Sequence, residues 1–349
     1  MGGEEALMKV LVTGGGGFLG SAVCRLLLAR GDEVIAFQRS AADGLEKLGA
    51  RVMRGDISDA ESLVTAARDA DAIIHTAAKA GLSVNYDDYF GPNVSGTENV
   101  LGACRDNGIE KLVFTSSPSV THSDGDIEGG DESLPYPESY NSPYPSTKAL
   151  AEQQVMAANC AELRTVSLRP HLIWGPGDTH LLPKLLEKAK TGKLKLPGPD
   201  KLIDTVYIDN AANAHMLALD KLETHPGTVG GKTYFISNDE PVAQAKIIGG
   251  LLEAAGVTVD IQAVSPRLAI TAGTVIEAGW KLFGLKSDPP LTRWSAEHLS
   301  TAHWYDISAA KRDLGYKANI SIAEGLKRLA SAFQTQQKAM SSPRRRGSP

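Results

Sequence analysis

The chain reads as an α/β protein: a doubly wound parallel sheet with a smaller, discontinuous C-terminal domain. Three observations predict this. Short apolar runs alternate with segments of helical periodicity from Met8 to Arg169, the pattern of a parallel sheet covered by helices on both faces. A glycine-rich turn, Thr13-Gly14-Gly15-Gly16-Gly17-Phe18-Leu19-Gly20, joins the first run to the first helix. After Pro170 the rhythm loosens, and this second half carries Trp280, Trp294 and Trp304. Right-handed crossovers between parallel strands make such a sheet doubly wound, the Rossmann arrangement.

The elements follow in order. Met8 to Thr13 is apolar and ends in glycine, so it is read as a buried strand. Phe18 to Arg30 has helical periodicity, and Gly31 stops it. Glu33 to Phe37 is a second strand, Leu45 to Leu48 a short helix and Arg51 to Arg54 a third strand. Asp59 caps a helix through Arg68. Ala72 to His75 is a fourth strand; Tyr89 to Asn107 is helical and closed by Gly108. Lys111 to Ser116 is a fifth strand, Tyr144 to Cys160 a helix and Thr165 to Arg169 a sixth strand.

Gly175-Pro176-Gly177-Asp178 marks a turn, and Leu181 to Lys190 a helix. Thr205 to Ile208 is expected to return to the first sheet, with Asp209 capping a helix over Asn210 to Leu219. Tyr234 to Ser237, a helix from Val242 to Ala255 and Val259 to Val264 follow. Leu268 to Leu285 is helical with weak points at Gly273, Gly279 and Gly284, and Ser321 to Phe333 is the last helix. The expected division is a dinucleotide-binding domain over 7–178, rejoined by 202–237. A substrate-binding domain spans 179–201 and 238–335, and 1–6 and 336–349 are flexible termini.

Composition narrows the class. The 349 residues are 42% hydrophobic and 22% charged, ordinary for a soluble globular enzyme. A net charge of −5 gives no global basic field for nucleic acid. Cys24, Cys104 and Cys160 are far apart and odd in number, which points to reduced thiols in the cytoplasm rather than a disulfide framework. No apolar run is long enough to span a membrane, and no secretory signal is evident. Met1 to Ala6 read as a dispensable leader. The tail with Arg344-Arg345-Arg346 is expected to be disordered, nuclear targeting or an anionic surface being its minor alternatives.

The glycine-rich turn sits between a strand and a helix, where the backbone can approach a pyrophosphate and the helix N-terminus can bind it. Two registers fit: Gly14, Gly17 and Gly20, or Gly15, Gly17 and Gly20. The end of the second strand sorts NAD from NADP: a carboxylate there bonds the ribose hydroxyls, whereas arginine accommodates a 2′-phosphate. Here Phe37-Gln38-Arg39-Ser40 has no carboxylate and places Arg39 well. The expected cofactor is therefore NADP (NADPH), with NAD the alternative. Asp56 of Gly55-Asp56-Ile57 either reaches the adenine or caps a turn.

Tyr144-Pro145-Ser146-Thr147-Lys148 puts a phenol and an ammonium four residues apart, on one face if helical. An ammonium at about 4 Å and an effective dielectric of about 20 favours the phenolate by roughly 4 kcal/mol, about three pKa units. Burial opposes that shift. Such a tyrosine can exchange a proton with a carbonyl or alcohol oxygen.

Together these residues resemble the extended short-chain dehydrogenase/reductase family. The matches are Gly14, Gly17 and Gly20; Asp56-Ile57; His75-Thr76-Ala77-Ala78; Asn93-Val94-Ser95-Gly96-Thr97; Ser116-Ser117; Tyr144 with Lys148; and Arg169-Pro170 with Gly175-Pro176. The resemblance implies that Tyr144 exchanges a proton with the substrate, Lys148 bonds the nicotinamide ribose and lowers the Tyr144 pKa, and Ser117 orients the substrate oxygen. Ser117 is preferred to Ser116 because it stands three residues before Val120. The resemblance also implies that Phe18, Leu19, Thr76, Ala77 and Ala78 line the cofactor with the glycines, Arg39, Asp56 and Ile57. On the same resemblance, the backbone after Pro170 is expected to face the nicotinamide.

Within the family, Arg169-Pro170-His171-Leu172-Ile173-Trp174-Gly175-Pro176-Gly177-Asp178 and Tyr207-Ile208-Asp209-Asn210-Ala211-Ala212-Asn213-Ala214-His215 are similar to the branch of 3β-hydroxysteroid and sterol-4-carboxylate 3-dehydrogenases. Thr115 to His122 and Trp174 to Pro183 are nearer still to ketoreductases of bacterial long-chain olefin biosynthesis. The implied substrate is a hydrophobic β-keto or β-hydroxy compound, a 2-alkyl-3-oxoalkanoate first and a steroid second. A homodimer through the helices Tyr89 to Asn107 and Tyr144 to Cys160 is also implied. Leu268 to Leu285, broken by Arg267, Glu277 and Lys281, is read as a lid over a greasy pocket or a peripheral membrane contact.

Other residues receive plainer readings. No spacing among His171, His180, His215, His298 and His303 forms a metal-ligand set. Asn93 is read as structural and Glu152 as a surface charge. Trp280, Trp294 and Trp304 either wall a substrate pocket or pack in a core. Tyr136 and Tyr140 lack a lysine four residues on. A nucleotide-sugar epimerase, supported by Arg293 and Lys286, is the enzymatic rival. A dehydratase is discounted at Pro118-Ser119, and a non-catalytic nucleotide-binding sensor by the retained Tyr144 and Lys148.

Overall fold

In the first strand, Val10, Leu11 and Val12 are all fully buried. Alternate side chains of a strand point to opposite faces, so a strand buried on both belongs in the middle of a covered sheet. The computed structural model, which describes residues 7–122, 125–190, 192–285 and 287–341, places it there.

The first part of the chain runs β1 (Lys9–Thr13), α1 (Phe18–Arg30), β2 (Glu33–Gln38), α2 (Asp43–Glu46), β3 (Arg51–Arg54), α3 (Ala60–Ala66) and β4 (Ala72–His75). Then come α4 (Asp87–Tyr89), a π-helical segment (Phe90–Ser95), α5 (Gly96–Asn107), β5 (Lys111–Thr115), a 3-10 turn (Pro118–Val120), β6 (Ile127–Gly130), α6 (Pro143–Ala157) and β7 (Arg164–Pro170). The second part runs β8 (Ile173–Trp174), α7 (Leu181–Ala189), β9 (Lys193–Leu196), β10 (Leu202–Ile203), β11 (Val206–Tyr207), α8 (Ile208–Thr224), α9 (Pro226–Val229), β12 (Lys232–Ile236) and β13 (Val242–Ala243). It closes with α10 (Gln244–Ala254), β14 (Asp260–Ala263), α11 (Pro266–Leu282), α12 (Arg293–His298), β15 (His303–Tyr305), a π turn (Ala310–Leu314) and α13 (Ile322–Ser341).

Seven strands form one sheet in the order β12-β7-β5-β4-β1-β2-β3, and every neighbouring pair is parallel. Strand order reverses between β1 and β4, the switch point at whose C-terminal edge such sheets bind ligands. Val10 and Val12 face a core shared with α1 and α8; Leu11 faces one shared with α3, α5 and α6.

Three expectations are corrected. The strand around Thr205 does not join the main sheet: β11 pairs with β8 in a sheet of its own, and β12 makes the return beside β7. Asp209 is not the cap of α8; Tyr207 holds that position, and Asp209 lies in the first turn, where Arg328 reaches it at 3.4 Å. The last helix runs to Ser341 rather than ending near Phe333. Residues 1–6 and the arginine-rich tail lie outside the described residues. The weak point at Gly273 has a packing cause: a Cβ there would come within 2.6 Å of the Thr292 carbonyl oxygen, so the glycine lets α11 close onto the start of α12. Among the described residues no helix is long and apolar enough to cross a membrane.

Candidate active site

The nucleotide end is built by backbone approach. Gly14 adopts φ +69°, which favours glycine. A Cβ on Gly20 would stand 2.2 Å from the Gly14 carbonyl oxygen. Gly14 and Gly20 thus touch across the turn while Gly17 donates to Gly14 at 2.8 Å, and a Cβ on Gly15 would come within 2.8 Å of the Ala36 Cβ atom. Gly17 caps α1 without a side-chain bond, and the first turn, with Phe18 and Leu19, holds no acid. The leading N–H groups of α1 therefore remain available to an anion, and the residues fit a dinucleotide pyrophosphate.

Arg39 is exposed just past the end of β2. The Asp56 Oδ1 atom accepts from the Ser58 amide (2.9 Å) and hydroxyl (2.8 Å), so it caps its own turn. Those bonds hold its pKa below the usual carboxylate value. Ile57 is buried against Gly96. The Thr76 hydroxyl donates to the Thr13 carbonyl at 2.8 Å, and the Ala77 amide lies 3.4 Å from Thr13 Oγ1. Ala78 follows in the same loop past β4.

Beneath that loop runs a relay that motif matching alone did not show. The Thr97 hydroxyl donates to the Asn93 carbonyl at 2.6 Å, so His75 Nε2–H donates to Thr97 and His75 Nδ1 accepts from Thr13 at 2.6 Å. Burial, with Lys148 nearby, pushes His75 down to about 3 and keeps it neutral. Asn93 sits inside the π-helical segment. Its side chain bonds the Lys79 amide (2.8 Å), the Lys79 carbonyl (3.1 Å) and Thr147 (3.1 Å), tying the β4 loop to α6.

Tyr144 and Lys148 lie on α6, and Ser117 caps the 3-10 turn after β5. Burial raises the Tyr144 pKa, and a hydrogen bond with Ser117 opposes the rise. The expected lowering by Lys148 is not seen. The ammonium instead donates to the Thr115 carbonyl at 2.7 Å and sits 4.1 Å from the Phe114 ring centroid. Burial takes Lys148 down to about 7, against the pull of Glu152. Tyr136 and Tyr140 are engaged elsewhere: their hydroxyls donate to Glu152 and to the Val120 carbonyl, each at 2.7 Å.

Glu152 is corrected from surface charge to buried anion. It accepts from Arg169 Nη2 at 2.6 Å and from the Ser167 hydroxyl at 2.8 Å, and those Arg169 bonds hold its pKa down against desolvation.

The histidines differ most from expectation. His171 after β7, His298 at the end of α12 and His303 at the start of β15 bring ring nitrogens within 4.8 Å of one another. His122, which spacing did not single out, faces them, 5.0 Å from His298 and 6.0 Å from His303 between ring centroids. No linear pattern could show this, because the residues come from separate elements. The rings of His298 and His303 are stacked at 3.9 Å and 11°, so their in-plane lone pairs run side by side. A zinc ion needs nitrogens converging at about 2.0–2.1 Å. His215 stands apart, bonded to Thr115 and to the Ala211 carbonyl.

Trp294 stacks on His298 and, with His122, Tyr140, Pro145 and Glu297, lines a cavity of 450 Å³. Trp280 donates to the Ser287 carbonyl, and Trp304 packs toward Gly129.

Residues 11–265 match the model of the 3-beta hydroxysteroid dehydrogenase/isomerase family. The chain belongs to this family. It is 49% identical over 329 residues to the 2-alkyl-3-oxoalkanoate reductase of Stenotrophomonas maltophilia, covering 93% of this chain and 99% of that one. The same-named protein of Shewanella oneidensis is 46% identical, covering 92% and 85%. The human sterol-4-alpha-carboxylate 3-dehydrogenase, decarboxylating, is 32% identical, covering 95% and 90%. Among solved structures, the Thermus thermophilus UDP-glucose 4-epimerase complex with NAD superposes with a TM-score of 0.72 at 26% identity, covering 94% and 99%. The protein is thus an NAD(P)-dependent oxidoreductase acting on a CH–OH group.

Proposed function

We propose that the protein reduces a 2-alkyl-3-oxoalkanoate at C3, with NADPH as reductant. The observation that carries this reading is the near-full-length similarity, at 49% and 46% identity, to two proteins named for that activity. A bound nicotinamide cofactor supplies the hydride. Tyr144, hydrogen-bonded to Ser117, gives its phenolic proton to the oxygen of C3 as that carbon is reduced. Ser117 orients the same oxygen. Lys148, fixed by the Thr115 carbonyl, holds a positive charge near the reacting oxygen and meets the nicotinamide ribose. Gly14, Gly17, Phe18, Leu19, Gly20, Asp56, Ile57, Thr76, Ala77, Ala78 and Pro170 line the cofactor. Arg39 takes the 2′-phosphate, which supports NADP over NAD.

The substrate site is read as the work of 179–201 and 238–335, set against the dinucleotide-binding part. A cytoplasmic homodimer through α5 and α6 completes the proposal; Leu150 of α6 is 39% exposed and would be covered in it. A monomeric mass in light scattering contradicts the dimer.

A 3β-hydroxysteroid is the second substrate reading, carried by the family match over residues 11–265. The epimerase reading loses ground at Arg293, whose Nε bonds Glu297 at 2.7 Å; Lys286 lies outside the described residues. NADPH oxidation against 2-alkyl-3-oxoalkanoates, 3-oxosteroids and sugar nucleotides tests the assignment. The first class should be consumed at least tenfold faster than the others, and preferential turnover of either other class contradicts it.

A further inference from the structure

The four-histidine cluster has no part in the chemistry above, yet one of its members, His122, lines a cavity whose wall reaches α6 at Pro145. His122 follows the 3-10 turn that Ser117 caps, and His171 follows Pro170 at the C-terminal end of β7. Pro145 is the neighbour of Tyr144. In a 3-oxo or 3-hydroxy acid the carboxylate stands two carbons from the reacting C3, so its binding groups must lie close to the catalytic hydroxyls. Lys148 and Arg169 are committed to the Thr115 carbonyl and to Glu152.

The polarity of the cluster is unusual. The Nδ1 atoms of His171, His298 and His303 are buried and lack a hydrogen-bond partner, and a buried polar atom left unmatched costs free energy. His303 donates from Nε2 to the His298 carbonyl at 3.0 Å, so in the neutral ring its Nδ1 carries a lone pair. Such a nitrogen meets a carboxylate only by taking up a proton.

We propose that this cluster is the carboxylate subsite: His298 and His303, flanked by His122 and His171, gain one proton as the acid group binds and hold it as an imidazolium–carboxylate pair. This rests on the functional reading above, and it makes a carboxylate beta to the reacting carbon the mark of the true substrate. The human relative's name places its carboxylate on the carbon next to its reacting position too.

The groups facing the cluster set the sign of its pH dependence. They are His122 after the 3-10 turn, His171 after β7, His298 and Glu297 from α12, and His303 and Tyr305 from β15. Asp126 before β6 and Asp204 after β10 complete the set. Glu297 is engaged by Arg293 and Asp126 by Lys201. Asp204 accepts from the Tyr305 amide through Oδ2, but burial lifts its pKa to about 7, so its own charge grows across the same window and the ester serves as the control for it. Burial and the neighbouring imidazoles hold His171 and His298 well below the ordinary value and His303 at about 4. His171, His298 and His303 are therefore neutral at pH 7. Binding that requires one added proton weakens about tenfold per pH unit.

The test uses a 2-alkyl-3-hydroxyalkanoate and its methyl ester, oxidised with NADP+ by the full chain. For the wild type, the KM of the acid should rise about tenfold per unit between about pH 6 and about pH 8, relative to that of the ester. In His303→Gln and His298→Gln the acid-to-ester ratio of kcat/KM should fall at least tenfold, with NADP+ affinity confirming the fold. Parallel pH profiles for acid and ester, or equal losses on both in the variants, would overturn the inference while leaving the reductase reading intact. Acid turnover abolished by EDTA and restored by Zn2+ would overturn it in favour of a metal. If the wild type oxidises neither compound, the functional reading falls and the inference with it.

Discussion

The ammonium of Lys148 donates a 2.7 Å hydrogen bond to the carbonyl oxygen of Thr115. This contact ties α6 to the C-terminal end of β5, two residues before Ser117. It also fixes a cation in a buried place, where desolvation brings its pKa to about 7. Two consequences follow. Between about 7 and the unfolded value of 10.5 the folded chain binds fewer protons at this group than the unfolded chain, so the group adds stability as pH rises through that window. A cofactor bound to the ammonium raises that pKa, so NADPH binding should take up protons.

Calorimetry of NADPH binding in two buffers of different ionisation enthalpy measures the uptake. Near pH 8 it should approach one proton, and affinity should fall as pH rises above about 7. Lys148→Met should remove the uptake. Binding without proton exchange in the wild type contradicts this account of the lysine.

Arg39 stands exposed past β2 in a stretch without a carboxylate. Its substitution by alanine should weaken NADPH binding by about 1.5–3 kcal/mol, the range for a hydrogen bond to a charged group. NADH binding should change little. Fluorescence titration with both cofactors reads the difference, and equal losses for the two would assign Arg39 no part in 2′-phosphate recognition.

Glu152 and Arg169 form a buried pair between α6 and β7, with Tyr136 and Ser167 completing the acceptor sites of the carboxylate. Removing one charge of such a pair leaves the other unmatched, at a cost of about 3–5 kcal/mol. Glu152→Gln should lower the urea midpoint accordingly, and Arg169→Met in the same chain should restore part of the loss. An unchanged midpoint in the single variant would mean that the pair adds nothing to stability.

The sequence showed most of the main sheet because its central strands are buried on both faces and α1 and α5 end at glycines. Phe18–Arg30, Arg51–Arg54 and Ala72–His75 have the bounds their patterns suggested. The second half was harder because β8, β10, β11 and β13 are two residues long. Strands that short have no period to read. Ser117, Tyr144 and Lys148 were legible as motif residues, and the structure sets Ser117 beside Tyr144. The direction of the Tyr144 shift was not legible, since it depends on burial rather than spacing. Glu152 misled for the same reason, as nothing in its neighbours announces Arg169 across the sheet. The histidine cluster was invisible because it is assembled from four separate segments.

The central claim is that Tyr144 delivers a proton to a ketone oxygen while hydride reaches its carbon. Single-turnover reaction of a 2-alkyl-3-oxoalkanoate with NADPH dideuterated at C4 measures this most directly. The account predicts one deuterium at C3 of the product, and a rate for Tyr144→Phe lower by about 10²–10⁴ with NADPH affinity retained. Label that stays in the cofactor, or a phenylalanine variant as fast as the wild type, would contradict it.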